Sequence, residues 1–219
     1  MSIRESSCWR VLLKLSLVCL GASLSHGYLL GTGKADITGP AADVELMGYA
    51  SPTQVASGIH IRLYARAFLV ADENDDRKRF IFVNLDACMA AQAITLGVHR
   101  KLKERFGDLY TEDNVAISGT HTHSGPAGYL QYVLYQITSL GFVKQSWQAL
   151  VDGAFEAIVE AHSSVRPGRL EVAAGELLEA NINRSPTSYL ENPAEERARY
   201  KHDIDKNMTL LHLTESDGR

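Results

Sequence analysis

Apolar residues fall at helical spacing most clearly near the middle of the chain. Trp147, Leu150, Val151, Ala154, Phe155, Ile158, Val159 and His162 form one continuous face, which predicts a helix over 146–165 that ends at Arg166-Pro167-Gly168. A second helix is predicted over 90–106, with Leu96, His99, Leu102 and Phe106 in step and Gly107 as its stop. Other stretches read as strands. Ile59 to Ala71 is rich in β-branched and aromatic residues, and Phe80 to Leu85 repeats that pattern beyond the charged turn 72–78, so the two predict a hairpin. Asn114 to Ser118 is a short buried strand, and shorter strands are expected at Lys34 to Ile37, Arg169 to Val172 and Asn207 to Leu213. Strands alternating with helices give an α/β class, with mixed sheets and packed helices. The turn-like segment 214–219 follows the last strand as if it opened a hairpin with a missing partner.

The N-terminus follows another pattern. Arg4 and Arg10 precede the apolar run Val11 to Leu24, and Ser25 and Gly27 are small residues at the −3 and −1 positions of a cut after Gly27. Residues 1–27 therefore read as a secretory signal peptide. The alternative is a membrane anchor, but the run is interrupted by Lys14 and is shorter than the ~20 residues a spanning helix needs. Secretion implies the extracellular space, the cell surface, or the Golgi or ER lumen. Removing the segment takes the formal charge from −4 to −6 and leaves Cys88 as the single cysteine, read as a small buried hydrophobe with no internal disulfide. The acidic balance carries no footprint for nucleic acid.

The strongest candidate chemistry follows the strand 114–118. His121-Thr122-His123 places two imidazoles at i and i+2, on one face if the strand continues, at a strand end that opens into Ser124-Gly125-Pro126. Imidazole is a favoured zinc ligand, and a catalytic zinc takes about three protein ligands and activates water. A structural histidine pair in a turn fits the spacing equally well. Arg184, in Asn181-Ile-Asn-Arg-Ser-Pro186, is suited to an oxyanion or carboxyl group, or is a surface arginine. Asp86 ends an apolar strand and reads first as a turn cap, second as a partner for an imidazole. His162 reads as a core or boundary residue. Asn207-Met-Thr209 is a glycosylation acceptor pattern inside a strand.

Several segments, in order, resemble the neutral, non-lysosomal ceramidases, plant members above all: Ala35-Asp36-Ile-Thr-Gly-Pro40, Met47-Gly-Tyr-Ala50, Gly58-Ile-His-Ile-Arg62, Ser118-Gly-Thr-His-Thr-His-Ser-Gly-Pro126, Ile137-Thr-Ser-Leu-Gly-Phe142, Asn181 to Pro186 and Tyr189-Leu-Glu-Asn-Pro193. The resemblance implies zinc-dependent hydrolysis of the ceramide amide to a sphingoid base and a fatty acid. It implies His121 as zinc ligand, with His123 and Arg184 as catalytic groups facing the reacting carbonyl. It places 28–219 as the incomplete N-terminal part of a larger catalytic domain. In the family the remaining zinc ligands lie downstream, so these residues alone are expected to be inactive. Competing readings are a different His-x-His zinc hydrolase and a non-catalytic secreted binding module. A ceramide substrate implies work at a membrane surface, and Tyr129 to Phe142 reads either as a core helix or as the apolar wall of an entrance.

Overall fold

The computed structural model describes residues 27–216; the signal-peptide expectation lies, but for Gly27, outside them. Elements run β1 (Tyr28–Asp36), β2 (Ala42–Glu45), β3 (Val55–Ser57), β4 (Tyr64–Asp72), β5 (Arg79–Leu85), α1 (Gln92–Phe106), β6 (Val115–Gly119), α2 (Val133–Thr138), α3 (Lys144–Ser163), β7 (Arg166–Glu176), α4 (Pro186–Leu190), α5 (Ala194–Arg197) and β8 (Asn207–Glu215). Six strands make one mixed sheet in the order β6-β5-β4-β1-β7-β8, and β2 pairs with β3 apart from it.

The centre of the sheet follows from strand alternation. In β4, Ala65, Ala67, Leu69 and Ala71 point to one face, and in β5 Ile81, Val83 and Leu85 do the same; all are buried. The expected hairpin is present, Ala65 opposite Leu85 through Ala71 opposite Arg79. Its turn is closed by Asp72, whose Oδ1 accepts the amides of Asn74 (2.8 Å) and Asp75 (3.1 Å). Chain from β5 crosses through α1 and returns as β6, parallel to β5. That connection carries the chain to the same sheet edge where β5 ended, and so brings 86–89 beside 119–123.

Helices α1 and α3 cover the buried face. The α1 face is Ile94, Gly97, Val98 and Leu102. This corrects the expected stripe: Leu96 is exposed, and the buried face is set by Ile94, Gly97 and Val98 instead, with Gly97 packed against Val151 and Trp147 of α3. In α3 the expected face is buried at Leu150, Val151, Ala154 and Ile158, and is widened by Gly153, Ala157 and Ala161. The small residues allow close approach. A Cβ on Gly33 of β1 would stand 2.0 Å from the Ala157 carbonyl oxygen, and one on Gly153 2.5 Å from that of Asp36. On the opposite sheet face, Phe68, Phe80 and Phe82 are partly exposed.

Two other expectations are corrected. The first strand begins at Tyr28, not Lys34, because it pairs with β4 along its whole length. β8 pairs with β7 from Gly168–Glu215 to Glu176–Asn207, over a sequence separation that local pattern does not reveal, and ends the sheet order. Tyr129 and Leu130 are buried, but α2 buries no residue, so Tyr132 to Phe142 is not a core helix. Among the described residues no helix is long and apolar enough to cross a membrane.

Candidate metal centre

The site stands at the edge where β5 and β6 end. Beyond β6 the Thr120 amide donates to the Leu85 carbonyl (2.9 Å) and the His121 amide to that of Ala87 (3.0 Å), so the two segments stay joined past the sheet. His121 has φ 64°, a left-handed conformation uncommon outside glycine. The backbone therefore leaves the strand at His121, and the i, i+2 rule for an extended strand does not apply. The rings meet nevertheless, with centroids 4.7 Å apart.

The tautomer of His121 follows from its contacts. Its Nδ1 lies 2.9 Å from the Cys88 carbonyl oxygen, so Nδ1 carries the proton and donates. Nε2 is then a bare lone pair, and it faces His123 Nε2 at 3.2 Å. A carbonyl holding one ring nitrogen so that the other can bind metal is a recurrent device of metal sites. His123 Nδ1 is buried without a hydrogen-bond partner. Its ring is held edge-on by Tyr49, with centroids 4.3 Å apart at 79°. Gly48 makes room for it: a Cβ there would fall 2.3 Å from the His123 ring.

Cys88 completes a cluster. Its Sγ lies 3.5 Å from His121 Nδ1, and the ligating atoms of Cys88, His121 and His123 lie within 4.8 Å of one another, a possible metal site of nitrogen and sulfur donors. The thiol is buried, and that burial pushes its pKa up. Sequence reading found both histidines but took Cys88 only as a hydrophobe, and it missed Gly48 and Tyr49. The signal available for these was their place in the quoted motif Met47-Gly-Tyr-Ala50 and at the end of the apolar strand.

The remaining candidates lie elsewhere. Asp86 turns to the sheet: Oδ1 accepts from Arg66 (2.8 Å) and Oδ2 from the Tyr64 amide (3.0 Å), so it fastens β5 to β4 and orients no imidazole. Arg184 is exposed on the excursion 177–206 between β7 and β8 and has no hydrogen bond or ion pair to a described residue. Its neighbours are ordered by Asn181 and Asn183, whose amides donate to the carbonyls of Asp205 (3.1 Å) and Asp203 (3.3 Å). His162 sits at the core boundary, its Nδ1 2.7 Å from Tyr110 Oη.

Residues 28–219 match the family described as neutral/alkaline non-lysosomal ceramidase, N-terminal. The chain belongs to the neutral ceramidase family. It is 57% identical to a neutral ceramidase of Oryza sativa subsp. japonica over 97% of its own length, and 58% identical to neutral ceramidase 3 of Arabidopsis thaliana over 92%. It spans 27% of each of these relatives. Its fold matches the crystal structure of neutral ceramidase from Pseudomonas aeruginosa with a TM-score of 0.83 and 42% identity, covering 88% of this chain and 30% of that one. A ceramidase complexed with C2 matches equally well, at 43% identity. The mixed α/β fold is thus that of the N-terminal part of a neutral ceramidase.

Proposed function

We propose that this chain supplies part of the active site of a zinc-dependent hydrolase that cleaves the amide of ceramide, giving a sphingoid base and a fatty acid. The observation that carries it is the His121 tautomer, with Nδ1–H fixed on the Cys88 carbonyl and Nε2 turned to His123 in a chain of this family. The donor set fits zinc. His121 Nε2 would hold the metal, while Cys88 Sγ sits beside Nδ1 rather than at the Nε2 lone pair. When bound, zinc supplies Lewis acidity toward water and the amide carbonyl. His123 Nε2, next to His121 Nε2, is placed to hydrogen-bond the reacting oxygen. Arg184, exposed on the 177–206 excursion, is assigned the cation for the charge that develops there by its family motif and not by a position beside the histidines. On this reading His121 Nε2 alone among the described donors faces the metal, short of the three or so protein ligands that a catalytic zinc site uses. A polypeptide of these 219 residues alone is therefore expected to turn over little or no ceramide. The substrate sits at a membrane surface, and the N-terminal pattern supports a place in the secretory pathway.

A second reading has its own support: the 3.2 Å separation of the two Nε2 atoms suits two imidazoles on one metal, as in a different His-x-His zinc hydrolase. Zinc titration separates the two in a chimera where this chain replaces the matching N-terminal part of the rice relative. On the ceramidase reading His121→Ala abolishes binding, while His123→Ala keeps affinity within about tenfold and loses turnover by about 100-fold or more. Equal loss of zinc in both variants supports the second reading. Indifference to both, with no zinc bound, leaves a binding module.

A further inference from the structure

Residues 128–143 form a loop closed at its base, where the Val143 amide donates to the Gly128 carbonyl (2.7 Å). Its crest is α2 and the turn that follows. There Val133, Leu134, Ile137 and Leu140 are 67–75% exposed. Leu140 has φ 56°, a left-handed conformation that bulky residues seldom adopt. No Asp, Glu, Lys or Arg occurs between Asp113 and Lys144.

The polar groups of the loop turn inward. Thr138 Oγ1 donates to the carbonyls of Leu134 or Tyr135 (3.2 Å each), and Ser139 Oγ to that of Tyr135 (2.5 Å). Gln136 Nε2 donates to the Gln131 carbonyl (3.2 Å). Gln131 Oε1 accepts the Ala93 amide (3.2 Å), and Tyr132 Oη donates to Gln92 (2.6 Å). At Val133, Leu134, Ile137 and Leu140 what remains outward is hydrocarbon.

We infer that this crest inserts into the interfacial layer of a lipid bilayer. Hydrocarbon favours surfaces whose own polar groups are already satisfied, and the Thr138, Ser139 and Gln136 side chains of this crest are spent on carbonyls of the loop itself. A protein partner would ordinarily meet a polar rim around the apolar centre. Tyr132 and Phe142 flank the crest and Lys144 follows its base, the order in which interfacial aromatics and cations bound a membrane-inserted surface. The crest shares a scaffold with the histidine cluster: Tyr129, buried at the root of the loop, accepts the Met89 amide (3.3 Å) one residue from Cys88. The inference rests on the ceramide reading in one respect, that a two-chain lipid substrate resides in a bilayer.

The test is flotation of the rice chimera, in which the rest of the polypeptide is present to cover the crest if that is its role, with phosphatidylcholine vesicles, with and without anionic lipid. Wild type is expected to bind neutral vesicles, with little dependence on salt. The double variant Leu134→Asp, Leu140→Asp should lower partition about tenfold or more, since a carboxylate at that depth is costly. Both sites are exposed, so circular dichroism should be unchanged. In Leu134→Trp, brominated acyl chains should quench the new indole. No binding by wild type, equal binding by the Asp variant, or no quenching overturns the inference. So does a dimer that the Asp variant dissociates on size exclusion, which assigns the crest to a second copy. None of these readouts needs turnover. If vesicle binding follows the crest while the rice chimera leaves ceramide intact, the function reading falls and the lipid surface stands. If the chimera is active and the variants bind as wild type, the lipid surface alone falls.

Discussion

His121 draws its meaning from one carbonyl. The pair His121 and His123 was visible in the sequence, but which nitrogen is free was not, because that depends on the Cys88 carbonyl, brought in by the parallel pairing of β5 and β6. The motif and strand end marked the positions of Cys88, Gly48 and Tyr49 but not what they do, for the same reason: each matters through a contact made by a distant segment. Asp86 shows the converse, since its strand-end position allowed two roles and Arg66 decides between them. Another residue makes a test of the described packing. His162 resists protonation: burial lowers its pKa first, then the charge of Arg79, with Asp76 opposing and Arg105 adding to the lowering. Arg79 donates to Tyr110 Oη (3.3 Å), which leaves the Tyr110 proton for His162 Nδ1. The unfolded chain takes up a proton near the ordinary value of 6.5 that the fold resists. Stability from this site is therefore full above that pH and is lost as pH falls below it. Urea midpoints at pH 7.5 and about 5.5 should differ more in wild type than in His162→Phe, which has no proton to take up.

At the scale of elements, long periodic segments were readable and pairing was not. Both long helices appear within about two residues of their expected bounds, since fifteen or more residues of 3.6-fold pattern leave little ambiguity. The β7–β8 ribbon was missed because its strands are separated by the 177–206 excursion, and β1 was shortened because glycines at 31 and 33 read as turn signals. Those glycines serve packing instead, letting β1 approach α3. Gly33→Ala sets a methyl against the Ala157 carbonyl and is expected to destabilise the chain by about 2–3 kcal/mol, read as a lower urea midpoint with an unchanged slope. A neutral result would place α3 farther from β1. The segment 129–142 was ambiguous because an apolar run reads alike as core and as exposed surface; only burial separates the two.

The whole molecule is one covered sheet face with several apolar surfaces left open. Phe68, Phe80 and Phe82 on the far sheet face, and Val172, Leu210 and Leu211 on the ribbon, are partly or largely exposed. The chain spans 27% of the rice relative, so a longer polypeptide has the material to cover such faces and to bring further donors to His121. The family, legible from motifs in order along the chain, is shown by the match over residues 28–219. Arg184 makes no hydrogen bond or ion pair to a described residue, so only its family motif marked it. The most direct measurement is ceramide hydrolysis by the chimera in which this chain replaces the corresponding part of the rice relative, followed as release of both fatty acid and sphingoid base. The account expects zinc-dependent release that His121→Ala abolishes, and little or none from the 219-residue chain alone. A folded, zinc-loaded chimera that leaves ceramide intact would contradict it.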